Sequence, residues 1–338
     1  MEEVIIVGGG PAGLYSAFYC GLRGMSVKLI EAKPYLGGKL NVYKEKNIWD
    51  IGGVTPQPAE NIVASLIQQA DAFEPTYVLG KKVVNITKEK NQFCVQTEDG
   101  EQHFSKSVIL GTGTGIITPK KLEFDYLESF EKSNLHYEVG SIESFRQKKV
   151  MITGGNDSAI QWAKALAEVA EKVYLVYRKD LFRGYETEVE SVLSHEKITC
   201  LMEKKITDFT SRDNSRIDSV KVSHVVSEIA EDIDVDEVLV CHGFERNNPL
   251  INNVSEFELI DELFFKTTTV GETSVDGVFA AGDAASYDGK VRLIAGAFHD
   301  AVNASNHAKK KIDPEATDGG MVSSHHDELQ SRKVIVQS

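Results

Sequence analysis

The chain opens with a purely apolar run, followed by a stretch with helical periodicity. Residues 4–7 are all β-branched, which is typical of a parallel strand that is buried on both faces. Over residues 14–22, apolar side chains recur at the spacing of one helix face. A second apolar run follows at residues 27–30. This pattern predicts strand, turn, helix and strand, which is how a parallel α/β sheet begins.

The next part of the chain has weaker patterns. Residues 59–73 have the periodicity of an amphipathic helix. Three short runs, residues 77–79, 83–87 and 93–97, predict strands of a small accessory sheet. Residues 108–110 predict a strand that returns to the first sheet.

The opening plan is then repeated. A strand at residues 150–153, a turn at 154–159, a helix and a strand at 173–177 predict a second dinucleotide-binding unit. Residues 198–226 predict another accessory sheet, and the strand at 235–241 is expected to lead back to the first domain.

The last regular elements are a strand that ends at Gly282-Asp283 and a helix at residues 293–311. Residues 313–338 are polar and without periodicity, and they predict a mobile or docking tail. The fold class is therefore α/β, with two Rossmann-like domains.

Three glycines in the first turn, Gly8, Gly10 and Gly13, have the spacing of a dinucleotide-binding loop. Gly8 permits the tight turn, Gly10 lets the backbone approach a pyrophosphate, and Gly13 lets helix and strand pack closely. Glu31 ends the second strand 18 residues later and is placed to bind ribose hydroxyls. Because strand, spacing, helix and acid agree, we favour this interpretation over a glycine-rich turn that binds nothing.

The turn at residues 154–159 differs from the first turn at two positions, the one that faces the ribose and the one that faces the pyrophosphate. No acid occupies the ribose position; Arg178 and Lys179 stand there, with Arg183 close behind, as expected for a 2′-phosphate. We favour NADP over the alternative of a solvated basic turn. Asn156 replaces the second glycine of the motif, and its side chain is expected to project toward the pyrophosphate. It would weaken NADP binding, substitute an amide contact, or mark a domain that no longer uses the nucleotide.

Composition narrows the function classes. The chain has 37 basic and 51 acidic residues, a net charge of −14, which argues against nucleic acid as a partner. No signal peptide and no apolar run of membrane-spanning length are present, so we expect a cytoplasmic protein with no membrane association. The four cysteines are too widely spaced for a C-x-x-C pair or a local metal site, and we expect buried thiols.

Two further features leave alternatives open. Trp49 stands in a turn region, where it either stacks on a planar cofactor ring or belongs to the core. Four lysines, at positions 33, 39, 44 and 46, form either a local basic patch for an acidic electron carrier or a solvated loop.

Taken together, these motifs resemble the two-dinucleotide-domain flavoprotein reductases of thioredoxin reductase type, over nearly the whole chain. Residues 134–139, where those enzymes carry C-x-x-C, contain no cysteine. The chain is more similar to the thioredoxin-reductase-like ferredoxin/flavodoxin–NADP reductases. The matching segments are residues 135–137, 157–159, 178–183, 282–283, 287–291 and 313–316.

The resemblance implies two three-layer ββα domains, with the NADP domain inserted into the FAD domain. The FAD domain would comprise residues 1–112 and 244–314, the NADP domain residues 113–243, and residues 315–338 a tail that covers the flavin. It also implies a homodimer and FAD-dependent ferredoxin (or flavodoxin)–NADP reductase activity. Hydride transfer between NADPH and FAD would be followed by one-electron transfer to the carrier.

No side chain is expected to act as a catalytic acid, base or nucleophile, because the flavin does the chemistry. Trp49 would stack on one face of the flavin and His325 or His326 would cover the other. The expected FAD contacts are Gly8, Gly10, Pro11, Ala12, Gly13, Glu31, Ala32, Lys39, Leu40, Trp49, Val83, Gly111, Thr112 and Asp283. The expected NADP(H) contacts are Gly154, Gly155, Asn156, Asp157, Ser158, Arg178, Lys179 and Arg183.

Three other functions stay open at this point. The first is an NADPH-dependent flavin reductase for a quinone, a ferric complex or a haem-degrading partner. The second is a non-enzymatic FAD-binding redox module, if Asn156 disables the NADP site. The third is a thiol–disulphide reductase, which would need two distant cysteines to meet.

Overall fold

The computed structural model describes residues 1–331. The chain forms two compact units. We call the first, residues 1–117 with the chain from Arg246 onward, the discontinuous domain, and the second, residues 118–245, the inserted domain. The segments that connect them, Ile116–Pro119 and Phe244–Asn247, pair as a two-stranded ribbon.

The first part of the discontinuous domain carries most of its sheet. In chain order its strands are β1 (Glu2–Val7), β2 (Val27–Glu31), β3 (Asn47–Ile48), β4 (Gln57–Pro58), β5 (Thr76–Leu79), β6 (Val83–Glu89), β7 (Gln92–Thr97), β8 (Gln102–Leu110) and β9 (Ile116–Pro119). The helices are α1 (Pro11–Leu22) and α2 (Ala59–Ala70), with short 3-10 helices at Gly38–Tyr43 and Asp71–Phe73.

This domain has three layers around a parallel sheet. The parallel strands lie in the order β5, β2, β1 and β8, and the later strand Val278–Ala280 pairs with β8. Val4 and Ile6 pack toward α1 and α2, whereas Ile5 and Val7 pack on the opposite side, where β6 and β7 contribute Val83 and Val95. Apolar residues are needed on both faces of β1, which explains its unbroken β-branched run.

The prediction that residues 77–79 belong to an accessory sheet is wrong. β6, β7 and the first half of β8 form an antiparallel meander, but β5 pairs in parallel with β2 and belongs to the main sheet. Its end residues Thr76 and Leu79 are exposed because β5 is the outermost strand. An edge strand shows the same alternation of apolar and polar residues as an accessory strand.

The inserted domain repeats the architecture. Its strands are β10 (Leu135–His136), β11 (Lys149–Thr153), β12 (Lys172–Tyr177), β13 (Ile198–Met202), β14 (Lys204–Thr210), β15 (Ser219–His224), β16 (Ala230–Asp234) and β17 (Glu237–Val240). Its helices are α3 (Glu128–Glu131), α4 (Asp157–Ala167) and α5 (Glu186–Ser194), with a 3-10 helix at Ile142–Phe145.

The parallel strands of this domain lie in the order β10, β17, β11, β12 and β13, and β14, β15 and β16 form a separate antiparallel sheet. The expected second accessory sheet, residues 198–226, therefore begins later and extends further along the chain than predicted. β13 is the outer strand of the parallel sheet, and β16 adds a third antiparallel strand beyond residue 226. The strand expected to lead back to the first domain, β17, is an inner strand here, and the return follows it.

The second part of the discontinuous domain completes the fold. It contains the strands β18 (Phe244–Asn247), β19 (Leu259–Ile260), β20 (Phe264–Lys266), β21 (Val278–Ala280) and β22 (Ala285–Ser286). Its helices are α6 (Pro249–Asn253), α7 (Ile294–Ile312) and α8 (Asp327–Ser331), with 3-10 helices at Gly282–Ala284 and Ser323–His325. The two Rossmann-like domains that the sequence predicts are confirmed. Over the described residues, no helix combines the length and apolarity that crossing a bilayer requires.

Candidate functional site

Two glycines of the first turn are required by the packing of the protein itself. Gly8 has a φ of +104°, and a Cβ there would lie 2.4 Å from the carbonyl oxygen of Gly111. A Cβ on Gly13 would lie 1.8 Å from the carbonyl oxygen of Gly8. Since neither clash can be relieved by turning a side chain, these glycines fix the turn between β1 and α1.

Gly10 is a glycine for another reason. Its φ of −79° suits any residue, and a Cβ placed on it would have the Cα of Gly38 as its nearest heavy atom, 3.7 Å away. The backbone N–H groups of Ala12 and Gly13, in the first turn of α1, have no acceptor in the described part of the chain. An open space above unpaired N–H groups at a helix N-terminus fits the pyrophosphate of a dinucleotide.

Glu31 is held at the edge of this space. One carboxylate oxygen accepts a hydrogen bond from Gly9 N at 2.6 Å and the other from Lys33 N at 2.8 Å. Its carboxylate is thereby oriented while retaining lone pairs for ribose hydroxyls. Ala32, the next residue, is half-buried.

The ends of two more strands reach the same edge of the sheet. Gly111 and Thr112 follow β8, and Gly282 and Asp283 follow β21. A Cβ on Gly282 would lie 2.7 Å from the Cβ of Ala12, so this turn packs directly on the start of α1. The carboxylate of Asp283 is half-buried and has no hydrogen-bond partner among residues 1–331. It is available to a sugar or ribityl hydroxyl.

The remaining residues expected to bind FAD have different surroundings. Lys39 is exposed and Leu40 buried in the 3-10 helix Gly38–Tyr43, and Val83 is buried at the start of β6. Pro11 is the first residue of α1.

We call the turn between β1 and α1, together with Glu31 and Asp283, the first cradle. The second cradle is the turn between β11 and α4 in the inserted domain, residues 154–158, and it has the same backbone requirements. Gly154 has a φ of +147°, and a Cβ there would lie 2.5 Å from the carbonyl oxygen of Cys241. A Cβ on Gly155 would come within 2.5 Å of the Tyr177 ring. The N–H groups of Asp157 and Ser158, at the start of α4, find no acceptor in the range that the structure describes. This cradle also fits a pyrophosphate.

The Asn156 side chain is directed at the protein, contrary to the expected projection toward a pyrophosphate. Its Oδ1 accepts a hydrogen bond from Ala159 N at 3.0 Å, which caps α4, and its Nδ2 donates to the carbonyl oxygen of Cys241 at 3.1 Å. Both ends of the amide are therefore occupied within the inserted domain. The residue stabilises the turn and leaves the first two N–H groups of α4 unpaired.

Three exposed cations, Arg178, Lys179 and Arg183, follow β12. Arg183 N donates to the carbonyl oxygen of Gly155 at 2.7 Å, which holds the basic loop over the turn, and the rings of Tyr177 and Phe182 stack at 5.7 Å. Within the described chain, no carboxylate pairs with Arg178, Lys179 or Arg183. Unpaired cations where the first cradle has Glu31 are suited to a 2′-phosphate.

A chain with two such cradles matches a known family over most of its length. The family model described as pyridine nucleotide-disulphide oxidoreductase matches residues 2–308. This chain belongs to that family. A relative named ferredoxin–NADP reductase 1, from Lysinibacillus sphaericus, is 44% identical over 343 residues, covering 100% of this chain and 98% of its own. One of the same name from Bacillus cytotoxicus is 46% identical, covering 98% of this chain and 95% of its own.

Solved structures agree on the fold. Lactococcus lactis thioredoxin reductase superposes with a TM-score of 0.72 at 23% identity, covering 92% of this chain and 99% of its own. A second thioredoxin reductase, from T. acidophilum, gives a TM-score of 0.70 at 23% identity, covering 91% of this chain and 98% of its own. Identities of this size support the fold alone.

The four cysteines of the described chain have surroundings that do not activate a thiol. Cys20, Cys94 and Cys241 are buried and Cys200 is half-buried, and none of the four is part of a disulphide within the described residues. Burial raises the pKa of Cys20 to about 12, and burial also raises the pKa values of Cys94 and Cys200. Thiols with raised pKa values are poor nucleophiles at neutral pH. Among residues 1–331, no group of His, Cys, Asp and Glu is arranged to hold a metal ion.

Trp49 is not a core residue. It follows β3 in a short hairpin with β4, and 75% of its surface is exposed. A large exposed indole contributes little to folding and is accessible to a planar ring.

We expect Trp49→Ala to change the free energy of unfolding of the apoprotein by less than about 0.5 kcal/mol. FAD affinity should fall by about two- to tenfold, the value of one aromatic stacking contact. Fluorescence titration of apoprotein with FAD measures this change, with the equally exposed Val226→Ala as control. Unchanged FAD affinity would remove Trp49 from the site.

The C-terminal tail lies along α1 of its own domain. The Arg23 guanidinium donates to the carbonyl oxygens of Gly319 and Thr317 at 2.6 and 2.9 Å, and the Tyr19 hydroxyl donates to that of Met321 at 3.2 Å. His326 contacts the Phe73 ring edge-on at 5.3 Å, whereas His325 is exposed. The part of the expected flavin-covering tail at residues 332–338 lies outside the described residues.

Asp300 is a residue that the sequence reasoning missed. It lies on α7 beneath the Gly282 turn and is almost fully buried, at 2% exposure. A signal was present, since Asp300 falls on the helix face that otherwise carries Ala297, Ala301 and Ala304. An acid on an apolar stripe needs a buried partner.

Asn156 gives a further testable consequence of the geometry. We expect Asn156→Ala to lower the free energy of unfolding by about 1–3 kcal/mol, because it removes a helix cap and a second hydrogen bond. Asn156→Gly should lower the free energy of unfolding less than Asn156→Ala does, since glycine is tolerated at the N-cap position. Neither variant should bind NADPH more tightly. A gain of about tenfold or more with glycine, measured by calorimetry, would mean that the amide blocks the site after all.

Proposed function

We propose that this chain is an FAD-dependent ferredoxin–NADP reductase. The observation that carries the proposal is the contrast between two cradles of the same construction. The first offers the Glu31 carboxylate to a ribose, and the second offers Arg178, Lys179 and Arg183 to a phosphate. The full-length similarity to relatives named ferredoxin–NADP reductase supports the same function.

The cofactors are FAD, in the discontinuous domain, and NADP(H), in the inserted domain. When bound, FAD would supply the redox chemistry, namely hydride exchange with NADPH and one-electron transfer to the carrier. The side chains and backbone of the protein bind and orient the cofactor. The N–H groups of Ala12 and Gly13 hold the FAD pyrophosphate, Glu31 and Asp283 bind sugar hydroxyls, and Trp49 stacks on the ring system.

In the inserted domain, the N–H groups of Asp157 and Ser158 hold the NADP pyrophosphate. Arg178, Lys179 and Arg183 bind the 2′-phosphate and exclude NADH by offering no acceptor to a free 2′-hydroxyl. No side chain is required to transfer a proton. Glu31 would repel a 2′-phosphate, which keeps NADP out of the first cradle.

The electron acceptor is a ferredoxin or a flavodoxin. Both are small carrier proteins. Lys39 is exposed beside the first cradle and Lys33, Lys44 and Lys46 are half-exposed, so this segment is basic within an acidic chain. Such a surface suits an acidic carrier and predicts salt-sensitive turnover. The protein acts as a homodimer in the cytoplasm.

The alternatives are weaker on specific grounds. A flavin module that does not use NADP would require a disabled second cradle, but Asn156 supports that cradle. A thiol–disulphide reductase would require reactive thiols, and the pKa values of Cys20, Cys94 and Cys200 are raised. A reductase for an acceptor other than a carrier protein would have the same first half-reaction, so only an assay of acceptors distinguishes it.

The test of the acceptor is a steady-state assay with purified holoprotein. NADPH-dependent reduction of ferredoxin or flavodoxin, followed through cytochrome c, should exceed reduction of quinones and ferric complexes in kcat/KM. Turnover with the carrier should decline with added salt, whereas turnover with ferricyanide should change little. Efficient quinone reduction with no carrier reduction would overturn the assignment of the acceptor. The assignment as an NADPH-dependent flavin reductase would still hold.

A further inference from the structure

A buried ionic cluster lies beneath the Gly282–Asp283 turn. The Asp300 carboxylate accepts hydrogen bonds from the backbone N–H of Gly282 at 2.9 Å and from the Tyr287 hydroxyl at 2.6 Å. It also pairs with the Lys290 ammonium, and the side chains of Asp300 and Lys290 are only 2% and 4% exposed. Burial and the bond to Asp300 raise the pKa of Tyr287 to about 12, so this hydroxyl remains a donor at physiological pH.

Such a cluster is a poor way to gain stability. The desolvation of two buried charges offsets most of their attraction, and apolar replacements of similar volume are often as stable or more stable. The arrangement must therefore be understood from what it positions. Within residues 1–331, the one backbone group that this carboxylate holds is the N–H of Gly282.

Gly282 connects the cluster to the first cradle. Its φ of +70° directs the turn, and its missing Cβ allows the turn to pack against Ala12. Asp283 comes next in the chain, with a carboxylate available to a ligand. The hydrogen bond from Gly282 to Asp300 therefore fixes the position of Asp283 relative to the start of α1.

Lys290 has a separate electrostatic effect. Unpaired, the Asp300 carboxylate would place a second negative charge behind Asp283 and repel a pyrophosphate. Its pairing with Lys290 cancels that charge. The cluster can hold the turn through a strong acceptor without weakening the site for an anion.

We propose that Asp300 is a positioning residue for FAD, which holds the Gly282–Asp283 turn at the spacing from α1 that the dinucleotide requires. The inference rests on the proposed function, because it takes FAD as the ligand of the first cradle. Asp300 itself does not touch the ligand.

Two double variants isolate the hydrogen bond from the charge. Lys290→Met with Asp300→Asn removes both charges but leaves an acceptor for Gly282 N, whereas Lys290→Met with Asp300→Leu removes the acceptor as well. We expect the asparagine variant to bind FAD within about threefold of the wild type. The leucine variant should bind about tenfold or more weakly, because Gly282 N then lacks a partner.

The readout is the FAD dissociation constant of each apoprotein, measured by fluorescence, together with its Tm. A purely structural role would lower Tm without separating the two dissociation constants, and equal constants would overturn the proposal. If the leucine variant does not fold, Lys290→Met with Asp300→Val is judged by the same criterion.

Asp276→Asn is the matched control. Asp276 also bridges two lysines, Lys88 and Lys311, but it precedes β21 whereas the Gly282 turn follows it. Its replacement should leave FAD affinity unchanged. Failure of the proposed reductase function can be distinguished from failure of this inference. A wild-type protein that binds FAD but reduces no carrier would contradict the reductase function, and the FAD affinities of the two double variants could still be compared.

Discussion

Replacing Arg178 and Lys179 together by alanine is expected to raise the KM for NADPH by about a hundredfold or more. A hydrogen bond to a charged group contributes about 1.5–3 kcal/mol to binding, and the lower value applies because the site is exposed to solvent. Two such bonds contribute about 3 kcal/mol, which corresponds to about a hundredfold in affinity. The KM for NADH should change little, since NADH has no 2′-phosphate. The preference for NADPH should therefore disappear without a gain for NADH.

Steady-state kinetics with ferricyanide as acceptor measure this change without involving the carrier protein. The control replaces Lys205 and Arg212, two exposed cations on the accessory sheet side of the same domain. It should leave both KM values unchanged. Equal rises in the KM for NADPH and NADH would mean that Arg178 and Lys179 maintain the fold of the loop and do not read the phosphate.

Gly10→Ala is expected to abolish stable FAD binding while leaving the apoprotein folded. The φ of −79° accommodates alanine, and apart from the adjoining residues of the chain no described atom lies closer than 3.7 Å to the new Cβ. The methyl group instead occupies the space through which the pyrophosphate approaches the backbone. We expect FAD affinity to fall by about a hundredfold or more, because that close approach is the reason for glycine in this motif.

Gly13→Ala should behave differently. Its Cβ would lie 1.8 Å from the Gly8 carbonyl oxygen, so the turn itself must shift. A loss of about 3 kcal/mol or more in the free energy of unfolding is expected, and FAD is lost with the turn. Gly140→Ala, at an exposed position with no described atom within 4 Å, is the control for both.

Bound FAD per chain and the Tm of the apoprotein separate the two effects. Gly10→Ala should lose FAD at an unchanged Tm, whereas Gly13→Ala should lose FAD and also have a lower Tm. If Gly10→Ala retained FAD at the wild-type ratio, the first cradle would not be the FAD site.

The sequence predicted the two nucleotide-binding units because each rests on local features. An apolar strand, a glycine turn and a helix are neighbours along the chain, and their order determines a βαβ unit. The errors concern β5 and β13, the outermost strands of the two parallel sheets. An outer strand is covered less completely than an inner one, so its pattern resembles that of an antiparallel accessory strand.

The candidate site shows the same limit. The glycines and the charges that follow each second strand could be located from spacing alone. The orientation of Asn156 could not, because its partner, the Cys241 carbonyl, lies 85 residues away. For Asp300 the pattern of α7 shows an acid on an apolar face, but its role depends on Gly282, a partner set by tertiary contact.

An anaerobic titration of the purified holoprotein with NADPH and, separately, with NADH, following the flavin absorbance, tests the reductase function most directly. We expect NADPH to bleach the flavin rapidly, and NADH to do so only slowly or at far higher concentration. Such a result would establish that both cradles are used and that the second selects the 2′-phosphate. If dithionite bleaches the flavin but neither nucleotide does, the reductase function is contradicted.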